Sequence, residues 1–390
     1  MRNEKPRGKS RRGGRTAAAV ARLCRHPVFG LPILAAVVAL LYVLVVHAAG
    51  FLAGLLGSWI ADPVVRAVGR AVGPGFWRDL LIGDFGLLTL GLFNAVVTVL
   101  PILSVFFLVL GLLEDVGYLP NLTVLTQRLL GRIGLSGRSV LSLVLGFGCK
   151  TMATLTVRGI PSRKERLITV YLIAFAIPCS AQLAISMAIL GRVGVPAFLI
   201  AFAFLAVVEI AAGWVLNKLL PRDAPGDYIQ ELPTIRLPSL PAVLKKTGFR
   251  IWWFLKEALP IFLIAAVALF AVEKSGLLAL LQRALKPVVV GWLGLPVNMV
   301  EVLILTMARH EAAAGLVFNL LDRGLLGYIQ SIVAVTITIM FVPCFANIVA
   351  MCRQVGVRAG LVITLAINVS SFILAGILNW VLLFLRVGGS

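Results

Sequence analysis

Long stretches of apolar residues that are almost free of charge constrain the fold of this chain most strongly. Most of them reach or approach the roughly 20 residues that a helix needs to cross a bilayer. Inside a bilayer the backbone is satisfied only in helices or in closed barrels, and these stretches do not alternate as barrel strands do. The sequence therefore predicts an all-α, polytopic helical membrane protein. The stretches are residues 31–46, 87–113, 167–190, 197–216, 261–272, 329–351 and 361–385.

Charged residues are few and unevenly placed. They are 13% of the 390 residues, whereas soluble domains have about 25%. The net charge is nevertheless +20, and nine arginines and lysines crowd residues 1–26, opposed there only by Glu4. A basic flank before the first apolar stretch predicts a cytoplasmic N-terminus and contact with the anionic lipids of the bilayer. Because the charge flanks membrane spans, no nucleic-acid partner is expected.

One order of landmarks occurs twice along the chain. A Leu-Pro pair, a Glu and a Gly recur 159 residues further on, a Gly-Leu pair recurs at 160, and an Arg-Gly and a Pro-Cys pair recur at 165. Chance does not explain so many agreements in one order. Internal repeats are typical of secondary transporters, whose substrate site lies near the midplane between the repeats. In the first repeat the landmarks are Leu100-Pro101, Glu114, Gly117, Gly134-Leu135, Arg158-Gly159 and Pro178-Cys179.

The segment 139–157 is hydrophobic but has arginines or lysines at both ends. Both flanks are therefore predicted to be cytoplasmic, and the segment to enter and leave the membrane on the same face as a re-entrant hairpin. Three full crossings would then separate the first helices of the two repeats, which predicts that the repeats are inverted. Lys274, Arg283 and Lys286 resist this arrangement, because it places them outside.

These predictions divide the chain into five parts. Residues 1–26 form a basic cytoplasmic tail, and 27–86 contain the first transmembrane helix and an external amphipathic segment. The first repeat comprises residues 87–220. A cytoplasmic connector rich in proline and charge comprises residues 221–250, and residues 251–390 form the second repeat with the last transmembrane helix.

A Pro-Cys pair interrupts a hydrophobic helix in each repeat. Its proline cannot donate a backbone hydrogen bond, so the carbonyl four residues earlier is freed, that of Ala174 in the first repeat and of Ile339 in the second. A freed carbonyl beside the thiol of Cys179 or Cys344 is a reasonable cation site. The alternative is a proline kink with cysteine used as a small core residue. Polar neighbours follow the pairs: Ser180, Gln182 and Asn347.

The predicted hairpins carry the other candidates. Gly146-Phe147-Gly148-Cys149-Lys150 lies in the first, and Arg309-His310-Glu311 lies in the second. Charged groups at membrane depth are costly and usually functional. Internal pairing of Arg309 with Glu311 is the alternative. The predicted metal ligands are Cys149, Cys179, His310, Glu311 and Cys344, and the other predicted pathway residues are Glu114, Lys150, Ser180, Gln182, Glu273, Arg309 and Asn347.

Glu114 and Glu273 occupy equivalent positions near the end of the first helix of each repeat. Their carboxylates could guide cations into the pathway. The alternative is that both are solvated at the membrane interface. No nucleophile–base pair and no CxxC cluster is evident in the sequence, so no catalytic residues and no enzyme activity are predicted.

A further set of short motifs follows in one order along the chain. They are Arg25-His26-Pro27-Val28-Phe29-Gly30, Leu113-Glu114-Asp115-Val116-Gly117-Tyr118, Ile133-Gly134-Leu135-Ser136-Gly137, Gly146-Phe147-Gly148-Cys149, Pro178-Cys179-Ser180-Ala181, Glu231-Leu232-Pro233, Arg236-Leu237-Pro238 and Val342-Pro343-Cys344. Together they resemble the membrane part of the FeoB family of ferrous iron transporters, from about residue 23 to the last span. The paired repeats are similar to the two Gate, or nucleoside-recognition-type, regions of that family.

The resemblance implies import of Fe²⁺ across the inner or plasma membrane of a bacterium or archaeon. It implies Cys149 and Cys179, and by the repeat Cys344, as pathway residues. The family normally has an N-terminal G domain, which this sequence does not show. No GTP site is therefore expected in this chain, and a separate G protein could act at the cytoplasmic face.

The sequence also departs from the family at the motifs themselves. The cysteine of the Gly-Phe-Gly-Cys motif is usually followed by Asn-Val-Pro, but Cys149 is followed by Lys150. A cation next to a metal ligand is a physical objection to Fe²⁺ binding there. Gln182 stands where the family has Arg, and His310 stands where it has Lys.

The leading prediction is transport of ferrous iron, or of another divalent metal, through a midplane site between the two repeats. Thiol, imidazole and carboxylate together suit a borderline metal such as Fe²⁺ better than Mg²⁺. The metal would be the substrate, and no permanently bound cofactor is predicted. The alternatives are a carrier for a small organic solute such as a nucleoside, and a non-transporting membrane scaffold. A homo-oligomer is compatible with all three.

Overall fold

The computed structural model describes most of the chain, and every regular element in the part that it describes is helical. The described residues are 22–24, 26–73, 75–83, 86–118, 121–122, 135–221, 238–308, 310–341 and 344–385. Among them, five helices are long and apolar enough to cross a membrane, and a sixth span results if one bent helix pair counts as one. The predicted all-α, polytopic membrane fold is confirmed. The basic tail lies almost wholly outside the described residues.

The first part of the chain is a series of helices joined by π-helical turns. Its elements are α1 (Pro27–Leu44), π turns Val45–Ala49 and Gly57–Ala61, α2 (Gly50–Leu56), α3 (Asp62–Ala71) and α4 (Phe76–Ile82). The stretch His47–Ala71, predicted to be mostly an external amphipathic segment, is long and apolar enough to cross a membrane. Lys274 pairs with Asp79 of α4 at 2.8 Å, so its charge is balanced where the inverted arrangement places it.

Most of the described helices of the first repeat recur in the same order in the second. The first has a π-helix (Leu87–Val99) leading into α5 (Leu100–Val116), then α6 (Gly137–Gly146), α7 (Lys150–Thr156), a 3₁₀ turn (Val157–Gly159), α8 (Arg163–Phe175), α9 (Ser180–Val193) and α10 (Val195–Leu219). The second has α11 (Leu240–Lys274), α12 (Leu277–Pro287), a π turn (Val288–Trp292), α13 (Met299–Ala308), α14 (His310–Asp322), α15 (Tyr328–Met340), α16 (Phe345–Val355) and α17 (Val357–Phe384).

Helix ends follow the repeated landmarks. Helices α8 and α15 begin and end 165 residues apart, and α9 and α16 also begin 165 residues apart. Gly117 ends α5 with φ 84°, and Gly276 follows α11 with φ 71°. This left-handed backbone is easily adopted only by glycine, which explains why glycine recurs at this landmark.

Helix α11 begins earlier than the predicted second repeat. Residues 240–250 were predicted to belong to the connector, but they are the first turns of this 35-residue helix. Val243 and Thr247 are buried, and the Thr247 hydroxyl donates to the carbonyl of Phe107 on α5. Packing of one face against α5 therefore extends the helix into a segment whose charge and proline content indicated a loop.

The two broken helices run in opposite directions. Arg166 in the first turn of α8 and Arg353 in the last turn of α16 line the same cavity, which measures about 550 Å³. At the opposite ends, Arg192 in the last turn of α9 pairs with Asp322, shortly before α15 begins. The start of one broken helix thus lies beside the end of the other at both faces. This arrangement supports the predicted inversion of the repeats.

The broken helices lie inside the protein, and the continuous helices lie around them. The stretch Arg163–Leu183 has 67% of its apolar window buried, against 22% for Val195–Leu219 and 28% for Val357–Phe384. Interrupted backbone is tolerated at membrane depth only when protein surrounds it. The low burial of α10 and α17 is that of helices that face lipid, and the stretch His47–Ala71, 6% buried, shares it.

The turn between α6 and α7 depends on a close approach to α5. A methyl group added to Gly148 would overlap the ring of Phe106, which is only 2% exposed and closely surrounded by other side chains. We expect Gly148→Ala to lower the free energy of unfolding by about 1–3 kcal/mol, because overpacking displaces either the ring or the turn. Thermal unfolding of the purified protein measures this change. Gly159→Ala is the control, because a methyl group there would meet no atom within 4 Å beyond its own chain neighbours. Equal effects of the two changes would contradict the close approach.

Candidate cation site between the broken helices

Breaks in three helix pairs are brought together at the centre of the molecule. The α6–α7 turn is tied to the start of α9, because the carbonyl of Gly148 accepts hydrogen bonds from the backbone N–H of Ser180 at 3.2 Å and from its hydroxyl at 2.9 Å. Ser180, predicted as a pathway residue, is buried and holds the hairpin in place. Helix α7 also packs against α16, which brings the break of the second repeat to the same point.

The Lys150 ammonium lies between the two repeats. It is the first residue of α7 and is 3% exposed. Its Nζ donates to the carbonyl of Ala174 at 3.2 Å and to the carbonyl of Ile339 at 3.1 Å. These are the two carbonyls that the Pro-Cys pairs were predicted to free, and they occupy equivalent positions in the repeats. A cation is therefore bound at the predicted carbonyl site, and that cation belongs to the protein.

Two buried amides at equivalent positions connect the breaks. Gln182 accepts from the N–H of Cys179 at 3.2 Å and donates to the carbonyls of Thr338 and Ile339 at 3.0 and 3.3 Å. Asn347 accepts from the hydroxyl of Thr154 at 2.7 Å. The Nδ2 of Asn347 is buried and has no hydrogen-bond partner among the described residues. Each amide thus bonds to a helix of the opposite repeat, and one amide donor remains available.

Three cysteines lie at the helix breaks that meet near Lys150. Cys149, Cys179 and Cys344 each precede the first residue of a short helix, α7, α9 and α16 respectively. The hydroxyl of Thr151 lies 3.5 Å from the Cys344 sulfur. None of the three is in a disulfide, and all are half-buried. The amino ends of helices stabilise negative charge, which suits thiolate ligands.

The structure describes only some of the predicted metal ligands. Within the described ranges, no group of three or more His, Cys, Asp or Glu side chains could hold a metal ion. His310 and Glu311 begin α14, but their side chains lie outside what the structure describes, as do Arg309, Pro343 and the side chain of Glu273. Their roles, and the three cysteines as ligands, stay predictions.

Glu114 lies in an ion-pair network at the end of α5. Its carboxylate accepts from Arg250 at 2.9 Å and lies 3.9 Å from the ammonium of Lys246, both on α11. These contacts join the first helices of the two repeats and balance the charge of Glu114. A role in guiding cations stays a prediction.

Glu209 is a buried acid that the sequence analysis did not select. It is the one carboxylate in the 25-residue apolar helix α10, within an interval described only as nearly free of charge. Both carboxylate oxygens are buried and have no hydrogen-bond partner among the described residues. The signal was present in the sequence, because an ionisable residue in the middle of a membrane span is by default a functional candidate.

Family models match most of the repeat region. The Gate model, described as nucleoside recognition, matches residues 96–193 and again residues 255–358. The model for the C terminus of ferrous iron transport protein B matches residues 198–250. The chain belongs to the FeoB family. The two Gate matches agree with the internal repeat, and the FeoB C-terminal match between them covers most of α10, including Glu209.

Curated relatives in the family are named Fe(2+) transporter FeoB. The protein of Methanocaldococcus jannaschii is 32% identical over 188 residues, which are 47% of this chain and 28% of that protein. The protein of Synechocystis sp. is 32% identical over 263 residues, 65% of this chain and 40% of the relative. The Escherichia coli protein is 26% identical over 273 residues, which are 67% of this chain and 34% of that protein. This chain thus spans well under half the length of these relatives.

One solved structure is similar over nearly the whole chain. It is a doubly substituted variant of CNTnw in an outward-facing state, with a TM-score of 0.51 and 17% identity, covering 97% of both chains. At this identity the similarity concerns the fold alone.

Replacing Gln182 tests whether its amide contributes to cation binding as well as to the stability of the fold. We expect Gln182→Leu to cost about 1–3 kcal/mol of stability, because buried carbonyls lose their donors. Gln330→Leu is the matched control. Gln330, at the start of α15, also accepts from a backbone N–H three residues earlier, that of Gly327, and donates to a distant carbonyl, that of Gly294. Thermal unfolding should show similar losses for both. Cation binding should weaken only in Gln182→Leu, and equal weakening in both variants would contradict this assignment.

Proposed function

We propose that this chain transports ferrous iron, or another divalent metal, across the cytoplasmic membrane through the point where the broken helices meet. The names of its FeoB relatives support ferrous iron as the substrate. The observation that carries the proposal is the Lys150 ammonium, held by two equivalent carbonyls of the opposing repeats. A positive charge is already satisfied at this point, which is the first requirement of a cation pathway.

The thiols beside the carbonyls supply selectivity. Carbonyl oxygens alone suit hard cations such as Mg²⁺, whereas thiolates select softer metals. Cys149, Cys179 and Cys344 are placed at helix amino ends, and Asn347 has a spare amide donor at the same crossing. His310 and Glu311 would complete the ligand set. This donor set favours Fe²⁺ over Mg²⁺.

The Lys150 ammonium must leave its carbonyls before a metal can occupy them. Two unit charges 4 Å apart repel by about 4 kcal/mol at an effective dielectric constant near 20, and a divalent ion doubles this repulsion. A metal cannot bind beside the ammonium at that cost. Transport therefore requires a conformation in which the lysine has moved.

The proposal also implies how the chain is oriented in the membrane and which protein acts with it. Arginines line the cavity at the start of α8 and the end of α16, as positive residues do on the cytoplasmic side. The N-terminus would then also be cytoplasmic, in a multi-pass protein of the inner or plasma membrane. A separate G protein acting on this face would supply the GTPase that the family carries.

A small organic solute is the second candidate substrate. The fold is similar to that of CNTnw, the Gate model is described as nucleoside recognition, and the buried amide of Asn347 has an unused donor. Such a donor can bind a polar group of an uncharged solute as well as orient a metal ligand. Uptake measurements on both substrate classes distinguish the candidates.

Uptake into sealed proteoliposomes under anaerobic, reducing conditions tests the metal hypothesis. We expect Fe²⁺ to accumulate faster than Mn²⁺, Zn²⁺ or a radiolabelled nucleoside. Cys179→Ser or Cys344→Ser should each slow Fe²⁺ uptake about tenfold or more, since even residues that only orient a metal ligand contribute 10–100-fold.

Cys352→Ser is the matched control for these two changes. Cys352 lies on the same helix as the Cys344 break, but its thiol faces the carbonyl of Val357 at the far end. Unchanged Fe²⁺ uptake in both site variants would contradict the thiol pathway. Nucleoside uptake without metal uptake would favour the second candidate.

A further inference from the structure

The carboxylate of Glu209 is buried near the cation site and has no role in the proposed pathway so far. Glu209 is near the middle of α10, and both of its oxygens are buried and without a hydrogen-bond partner among the described residues. An unpaired buried charge is unfavourable, and groups of this kind at membrane depth mark ion pathways. Glu209 can therefore be ionised only where it has a positive partner, and otherwise carries a proton.

The surroundings of Glu209 contain one such partner. Helix α10 packs against α8, α9 and α15. The carboxylate lies beside the backbone of Ala176 in the α8–α9 break, without a hydrogen bond to it. Ala176 is two residues from Ala174, whose carbonyl holds the Lys150 ammonium at 3.2 Å, so the carboxylate lies within electrostatic reach of that ammonium. Tyr171 of α8 also lies within electrostatic reach, but its hydroxyl already bonds to Ser370 at 3.1 Å. Lys150 is thus the cation that faces the carboxylate across the break.

The Lys150 ammonium has one donor left for a further acceptor, which we call its second anchor. An ammonium has three donors, and two of them are used on the carbonyls of Ala174 and Ile339. Those carbonyls are neutral, whereas an ionised Glu209 would offer the ammonium an opposite charge. The flexible lysine stem allows the ammonium to pivot while its backbone stays in α7.

We propose that Glu209 is the second anchor of the Lys150 ammonium, and that the two groups form a cation switch. In the resting state the ammonium sits on the two carbonyls. When a divalent cation enters, the ammonium moves to the Glu209 carboxylate and vacates the carbonyls, so the substrate replaces a tethered lysine. Entrance of a substrate cation rests on the proposed function, whereas the pairing of the two residues does not.

This switch predicts a specific dependence of one residue on the other. With the lysine present, Glu209 lowers the cost of displacing it and so favours metal binding. Without the lysine nothing has to be displaced, and Glu209 loses this role. A direct metal ligand would instead matter in both cases.

The metal-free arm of the test compares wild type, Lys150→Met, Glu209→Gln and the double variant by thermal unfolding in lipid nanodiscs. Lys150→Met should lower the unfolding temperature because it leaves the carboxylate without a cation. Adding Glu209→Gln should restore part of the loss. Lys218→Met on α10 is the control, since its ammonium lies over the Trp214 ring, and it should show no such rescue. Purely additive changes would overturn the pairing.

The second arm titrates Fe²⁺ into the same four proteins under anaerobic conditions. Lys150→Met should bind Fe²⁺ about tenfold more tightly, and Glu209→Gln should bind about tenfold more weakly, as expected for strongly coupled neighbours. In the Lys150→Met background, Glu209→Gln should change affinity less than about twofold. Equal weakening in both backgrounds would overturn the switch and make Glu209 a direct ligand. If none of the four binds Fe²⁺, the proposed function fails, while the unfolding data still decide the pairing.

Discussion

The hydrogen bonds from Lys150 to Ala174 and Ile339 join the helix breaks of the two repeats. At these breaks the backbone lacks the hydrogen bonds that a continuous helix would supply. Each repeat contains a helix that stops in the middle of the protein, and each stop leaves carbonyls without their helical partners. Buried carbonyls must find donors elsewhere. One ammonium serves an equivalent carbonyl in each repeat, Gln182 serves Thr338 and Ile339, and the hydroxyl of Ser371 serves Met340. The breaks are therefore bonded to one another across the repeat interface.

This way of joining the repeats makes stability and function compete for the same groups. Carbonyls that bind the lysine are the oxygens that a substrate cation would need, and the amides that bridge the breaks lie beside the thiols. Alternating access requires one repeat to move relative to the other. Bonds that cross the repeat interface have to be exchanged during that movement, and a flexible lysine is well suited to such an exchange because its three donors can be redirected.

The FeoB family usually places an asparagine after the cysteine where this chain has Lys150. An amide can bond to carbonyls or to a metal without bringing charge, whereas an ammonium excludes a second cation until it moves. The carbonyls of Ala174 and Ile339 satisfy the ammonium where it lies. In the proposed switch, Glu209 gives the buried positive charge a counterpart once the ammonium leaves them. The pair would thus convert a site that simply binds a cation into one in which binding requires an exchange.

The membrane spans, the repeat and the positions of the breaks could be predicted from the sequence, because long apolar runs, prolines and left-handed glycines such as Gly117 and Gly276 act through the local backbone. The carbonyls of Ala174 and Ile339 could also be named in advance, since a proline frees a carbonyl at a fixed distance along the chain. The group that fills that site could not, because it comes from a distant part of the chain. Lys150 is 24 residues from one carbonyl and 189 from the other. Its contact with them depends on packing between the repeats, which leaves no local pattern in the sequence.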